Sequence, residues 1–137
     1  MLETNAATDI AEITFPAGLP GFPHAHRFEV AAWGPAGSPF LLLSSLEERD
    51  IAFVVVPPWV FYPEYDFELD SDAAERLALN AAEDAVVFAV VTLRERLEDS
   101  TVNLLGPIVV NRFTHEAAQV VLPSTEYSVR APLAIAT

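Results

Sequence analysis

The feature that most constrains this chain is a succession of short runs of β-branched and aromatic residues, each closed within a few positions by Pro, Gly, Asn or Asp. Runs of that length and boundary are strands joined by turns rather than packed helices. They fall at 10–15, 27–33, 40–46, 51–56, 65–69, 85–93, 102–111 and 118–122. No helix-period segment long enough for a crossover separates them, so the pattern predicts antiparallel pairing in an all-β fold. The expectation is a single β-barrel-like domain over 1–137 of about eight strands, with residues 1–9 loosely ordered. One short helix is expected over 71–80, with Asp72 as its cap, Glu75 three residues on, and Ala73, Leu77 and Ala81 sharing a face. The stretches 16–22 and 33–39 hold four of the five glycines and read as turns of fixed shape.

Face patterns place some of these strands. Ile51 to Val56 and Val86 to Val91 are apolar at nearly every position, as expected of central strands covered on both sides. Residues 64–70, Glu-Tyr-Asp-Phe-Glu-Leu-Asp, alternate strictly. In an extended chain this turns Tyr65, Phe67 and Leu69 inward and Glu64, Asp66, Glu68 and Asp70 outward. Same-face carboxylates then stand about 6.7 Å apart. Their repulsion in water is roughly 0.6 kcal/mol per neighbouring pair, about halved by physiological salt, so the ladder is tolerated without a partner. It is read either as an edge strand guarded by charge or as a docking face for a cationic protein.

Charge excludes several classes of function. Twenty acidic residues face seven basic ones, all Arg, for a net charge of −13. Such a chain repels phosphate backbones and anionic lipid, which argues against direct nucleic-acid or membrane binding and for a basic partner. With no Cys and no Lys, thiolate nucleophiles, Cys-ligated zinc and Schiff bases are out of reach. Residues 1–11 carry Glu3 and Asp9 and lack a basic n-region and an apolar h-region, which points to the cytoplasm. The longest apolar runs fall far short of the roughly 20 residues of a spanning helix.

Tests for chemistry come back negative. Counted from Asp66, a calcium loop would need Gly where Ser71 stands and Glu where Leu77 stands. His24, His26 and His115 would form a metal site only if two distant loops met; otherwise they are loop residues. No nucleophile elbow or dinucleotide fingerprint occurs. No metal, cofactor or catalytic residue is therefore assigned. Around Pro57, Pro58 and Pro63, an aromatic cluster reads mostly as core, with Trp59 and Tyr62 as candidate interface anchors.

Several blocks, in order, resemble one known family. They are Ile13-Thr14-Phe15-Pro16, Gly18-Leu19-Pro20-Gly21-Phe22, Pro39-Phe40, Ala52-Phe53-Val54-Val55-Val56 and Pro63-Glu64-Tyr65. The run 101–111, Thr-Val-Asn-Leu-Leu-Gly-Pro-Ile-Val-Val-Asn, follows, with Gln119-Val120-Val121-Leu122 and 127–133, Tyr-Ser-Val-Arg-Ala-Pro-Leu, completing the order. From Ile13 to Leu133 the chain is similar to the flagellar assembly factor FliW family. The resemblance implies a small, non-enzymatic β-barrel-like protein that binds flagellin and the RNA-binding translational regulator CsrA, relieving repression of flagellin synthesis. It also implies a cytoplasmic factor, expected to be a monomer when free, that flagellin occupies until secretion releases it to sequester the regulator. Candidate partner-binding residues are Glu64, Asp66, Glu68 and Asp70, with Asn103 and Asn111 from the matched run. The chain departs from the family pattern at 112–118, Arg-Phe-Thr-His-Glu-Ala-Ala, where a Gly is usual, and at Ala131, where a larger residue is usual. The alternative from a different class is a small barrel enclosing an apolar ligand.

Overall fold

The computed structural model describes residues 10–123 and 126–133; the expectation for 1–9 lies outside them. Among the described residues there are nine short strands: β1 (Glu12–Thr14), β2 (Arg27–Ala32), β3 (Leu41–Ser45), β4 (Ala52–Val56), β5 (Ala85–Thr92), β6 (Thr101–Val102), β7 (Ile108–Asn111), β8 (Ala117–Gln119) and β9 (Ala131–Pro132). Every strand pair is antiparallel, so the all-β class and its connectivity are as the turn spacing implied. From β1 to β5 each strand pairs with the next in sequence, joined by turns in which Gly18, Gly21, Gly34 and Gly37 all have positive φ. At Gly18 nothing larger fits, because a Cβ would lie 2.7 Å from the Pro23 carbonyl oxygen.

β5 is the pivot of the sheet. Val91 lies between Val54 of β4 and Val102 of β6, while Ala85 to Phe88 pair with β7. The sheet therefore forks, one branch ending at β9 and the other at β8. It is not closed into a barrel. The β8 branch meets β1 only through an isolated bridge, with Thr14 N–H donating to the His115 carbonyl at 3.0 Å. Alternate residues of the central strands feed two cores. Val55, Val86, Phe88, Ile108 and Val110 pack with Ile13, Phe15 and Phe28, whereas Val56, Ala89, Val102 and Val109 pack with Tyr65, Leu77 and Leu133. Burial on both faces is what the uninterrupted apolar runs required.

Three local expectations are corrected. The run 102–111 is not one strand: it breaks at Asn103, whose Oδ1 accepts from the N–H groups of Leu105 and Gly106 at 3.0 and 2.9 Å and folds 103–107 out of the ladder. The helix α1 (Ser71–Arg76) is shorter than 71–80, and its cap is Asp70 rather than Asp72. Asp70 has the extended backbone a cap needs, and its carboxylate accepts from Ala73 N–H at 2.8 Å, leaving Asp72 in the first turn. Finally, 65–69 pairs with no strand among the described residues. It keeps the alternation of burial, with Tyr65 buried, Phe67 and Leu69 half-buried, and Glu64, Asp66, Glu68 and Asp70 exposed.

Candidate protein-binding surface

Side chains hold the 64–70 segment in place of a partner strand. Trp59 Nε1 donates to the Tyr65 carbonyl at 2.6 Å, and the Tyr65 hydroxyl donates to the Leu104 carbonyl at 2.7 Å. Tyr127 stacks edge-on against Tyr65 with ring centres 4.7 Å apart. Its hydroxyl donates to the Asp66 carbonyl at 2.7 Å and accepts from Asp66 N–H at 3.1 Å, making the two bonds a neighbouring strand would have made. Tyr62 donates to the Pro132 carbonyl. Burial pushes the phenols of Tyr62 and, much further, Tyr65 above their ordinary pKa, the latter helped by Tyr127, so both remain donors at neutral pH. Trp59 and Tyr62 are thus half-buried struts of the segment, each with its polar atom bonded inward.

Two clefts flank this segment. The first, of about 540 Å³, runs between Asp66–Leu69 on one wall and Ala74 and Leu79–Ala82 on the other, with Val87 and Val109 in its floor. The second wall follows from how α1 ends. Ala78 N–H donates to the Glu75 carbonyl and Leu79 N–H to the Ala74 carbonyl, the paired bonds of a Schellman motif with Ala78 at φ 57° where glycine is usual. That turn brings Ala74 and Leu79 together as the apolar lip of the cleft. The second cleft, of about 730 Å³, includes Tyr62, Glu64, Tyr65 and Tyr127.

The sequence-derived candidates are accordingly divided. Asp66 and Glu68 rim the first cleft, Glu64 rims the second, and Asp70 is engaged in capping α1. Asn103 is half-buried and turns its Oδ1 onto its own loop. Asn111 is buried at 3% exposure, with Nδ2 donating to the Leu77 carbonyl at 2.8 Å and Oδ1 accepting from the N–H groups of Phe113 and Thr114 at 2.8 and 3.1 Å. It ties the C-terminal end of α1 to the turn after β7, and so backs the cleft without facing it. In that turn His115 takes the left-handed conformation, at φ 64°. The surface residues not foreseen are Tyr127 and Leu79. Tyr127 belongs to the matched 127–133 block, but its partner lies 61 residues away. Leu79 falls within a stretch expected to be helix.

Among the described residues, no group of three or more His, Asp or Glu side chains is placed to hold a metal ion, and no helix is long and apolar enough to cross a membrane. Phe15, Phe28, Leu43 and Phe88 are fully buried and pack in one core with Ile108 and Val110 of β7 and Ala117 of β8.

Comparison with known proteins gives this architecture a family. A family model described as FliW protein matches residues 2–133. The chain belongs to the FliW family. A relative named flagellar assembly factor FliW from Bacillus licheniformis is 40% identical over 121 residues, covering 88% of this chain and 84% of its own. The Bacillus subtilis protein of the same name is 39% identical over the same shares, and one from Desulfitobacterium hafniense is 44% identical over 118 residues, 86% of this chain and 77% of its own. A solved structure titled as the flagellar assembly factor FliW superposes with a TM-score of 0.83 at 28% identity, over 90% of this chain and 85% of that one. The forked, unclosed sheet is therefore the architecture of a FliW-family domain rather than a damaged barrel.

Proposed function

We propose that this chain serves flagellar assembly as a cytoplasmic, non-enzymatic factor that binds two proteins, flagellin and a CsrA-type RNA-binding translational regulator. When flagellin leaves the cell, the freed factor sequesters the regulator and lifts repression of flagellin synthesis. It works without a cofactor, is a monomer when free, and touches neither nucleic acid nor membrane directly. The observation that carries the reading is the exposed pair Asp66 and Glu68, set over an apolar cleft on a chain of net charge −13. An RNA-binding partner presents basic surface, and a potential of this sign speeds its encounter. The relatives' shared name supports the assembly role.

The test is calorimetric titration of the protein with the regulator, with and without its RNA, alongside flagellin. Binding that lowers the regulator's affinity for RNA is expected; no binding, with flagellin binding retained, would reduce the role to that of a flagellin chaperone. Reversing both Asp66→Lys and Glu68→Lys should slow association by about tenfold at low salt and flatten its salt dependence. Association at the wild-type rate would make these carboxylates a solvated face only.

A further inference from the structure

A wall of the first cleft is left with unused backbone. The N–H and C=O groups of Phe67, Glu68 and Leu69 have no hydrogen-bond partner among the described residues, although the segment keeps the alternating burial of a strand. Residues on either side are fixed, Asp66 by Tyr127 and Asp70 by its cap to Ala73, so the bare stretch is anchored at both ends. Beside it lies the cleft of about 540 Å³, with Phe67, Leu69 and Leu79 half-buried in its walls and Asp66 and Glu68 on its rim.

We infer that 67–69 is the site of strand addition by an extended, basic segment of the regulator; this rests on the function proposed above. Three features of the site point to one occupant. Unpaired extended backbone takes a peptide strand through main-chain hydrogen bonds. An apolar cleft alongside takes one large side chain from alternate positions of that strand. Carboxylates on the rim select Arg or Lys at the positions between, and exclude acidic strands. The occupant is therefore a short segment of alternating apolar and basic residues. Lateral pairing of two copies of this chain through the same stretch would set Glu68 against a second acidic edge, which disfavours it.

The experiment compares amide hydrogen exchange in the free protein and in the complex with the whole regulator, together with Ala81→Trp, which fills the cleft from an exposed position outside the core. On saturation, the amides of Phe67 and Leu69, which point to the same edge of an extended chain, should slow by about tenfold or more. Ala81→Trp should weaken binding by about tenfold or more, mainly through faster dissociation, while Glu95→Gln, an exposed acid away from both clefts, binds as wild type. Ala82→Trp repeats the test should the first variant fail to fold. If the complex forms while these amides stay unprotected, or if the filled variants bind within twofold of wild type, strand addition is overturned and the proposed function stands. If wild type does not bind the regulator at all, the proposed function falls and the inference with it. Protection conferred by flagellin and not by the regulator overturns the assignment of the occupant.

Discussion

Asn111 offers the sharpest test of how the fold builds the cleft. Its amide joins four backbone groups: the Leu77 and Ala78 carbonyls at the end of α1 and the N–H groups of Phe113 and Thr114 after β7. Asn111→Ala strands all four. Leaving a buried polar group unpaired costs about 1–3 kcal/mol, and Phe113 and Thr114 are exposed enough for water to recover part of the loss, so about 3 kcal/mol is expected. For a chain of this size that lowers Tm by roughly 10 °C. Asn111→Asp separates the two ends of the amide. It keeps the acceptor for the turn but aims a carboxylate oxygen at the Leu77 carbonyl, with the Ala78 carbonyl also near at 3.3 Å. Burial and those carbonyls raise the carboxyl's folded pKa above its unfolded value, so the folded state binds the extra proton and the variant gains stability as pH falls. The assay is urea unfolding followed by the fluorescence of Trp33 and Trp59 at several pH values. An Asn111→Ala loss below about 1 kcal/mol, or an Asn111→Asp variant whose deficit does not shrink on acidification, would refute the role given to this side chain.

Other outcomes follow from the same geometry. Ala78→Gly relieves a left-handed alanine, worth about 1–2 kcal/mol, against about 0.5–1 kcal/mol of added backbone entropy in the unfolded state, so a gain of roughly 0.5–1 kcal/mol in urea unfolding is expected. A loss would mean that strain at Ala78 is smaller than the backbone entropy that glycine adds to the unfolded state. Glu47 accepts from the backbone N–H groups of Arg27 and His26 at 3.1 and 2.8 Å, and these bonds, Arg27's foremost, hold its carboxyl below the usual carboxylate range. Its contribution is therefore present above the unfolded carboxylate pKa and lost as pH falls through the lower folded value. The stability gap between wild type and Glu47→Gln should close on acidification, whereas a gap constant with pH would assign the effect to packing.

The five strands from β1 to β5 were legible because each is a hydrophobic run ended by turn chemistry, and β4 and β5 because burial on both faces leaves no polar alternation. The strand β9 was not, since two residues, Ala131 and Pro132, carry no period and pair only with an equally short β6. The break at 103–107 did have a signal, Asn103 with Gly106 and Pro107, which the apolar residues between them concealed. The end of α1 was hidden for a different reason: the Schellman position is held by Ala78, which in sequence prolongs a helix and in structure ends it. The same substitution of an unexpected residue for glycine recurs at His115.

The 64–70 segment shows what alternation does and does not mean. Period-two burial reports that the backbone is extended beside a core; it does not report that another strand lies alongside. Here Trp59, Tyr65 and Tyr127 meet the requirement a partner strand would have met, and they do so from positions with no common period. The carboxylates were correctly placed on the outside, yet the sequence treats all four alike, whereas the fold separates them. Asp70 is committed to α1, Glu64 lies over the second cleft, and only Asp66 and Glu68 adjoin both the apolar lip and the unpaired backbone. Charge alone would attract any basic protein to this face. On the inference drawn above, it is the combination of two carboxylates with a short stretch of backbone unpaired among the described residues that selects a particular segment, because main-chain pairing demands that the segment be extended before its charges are read.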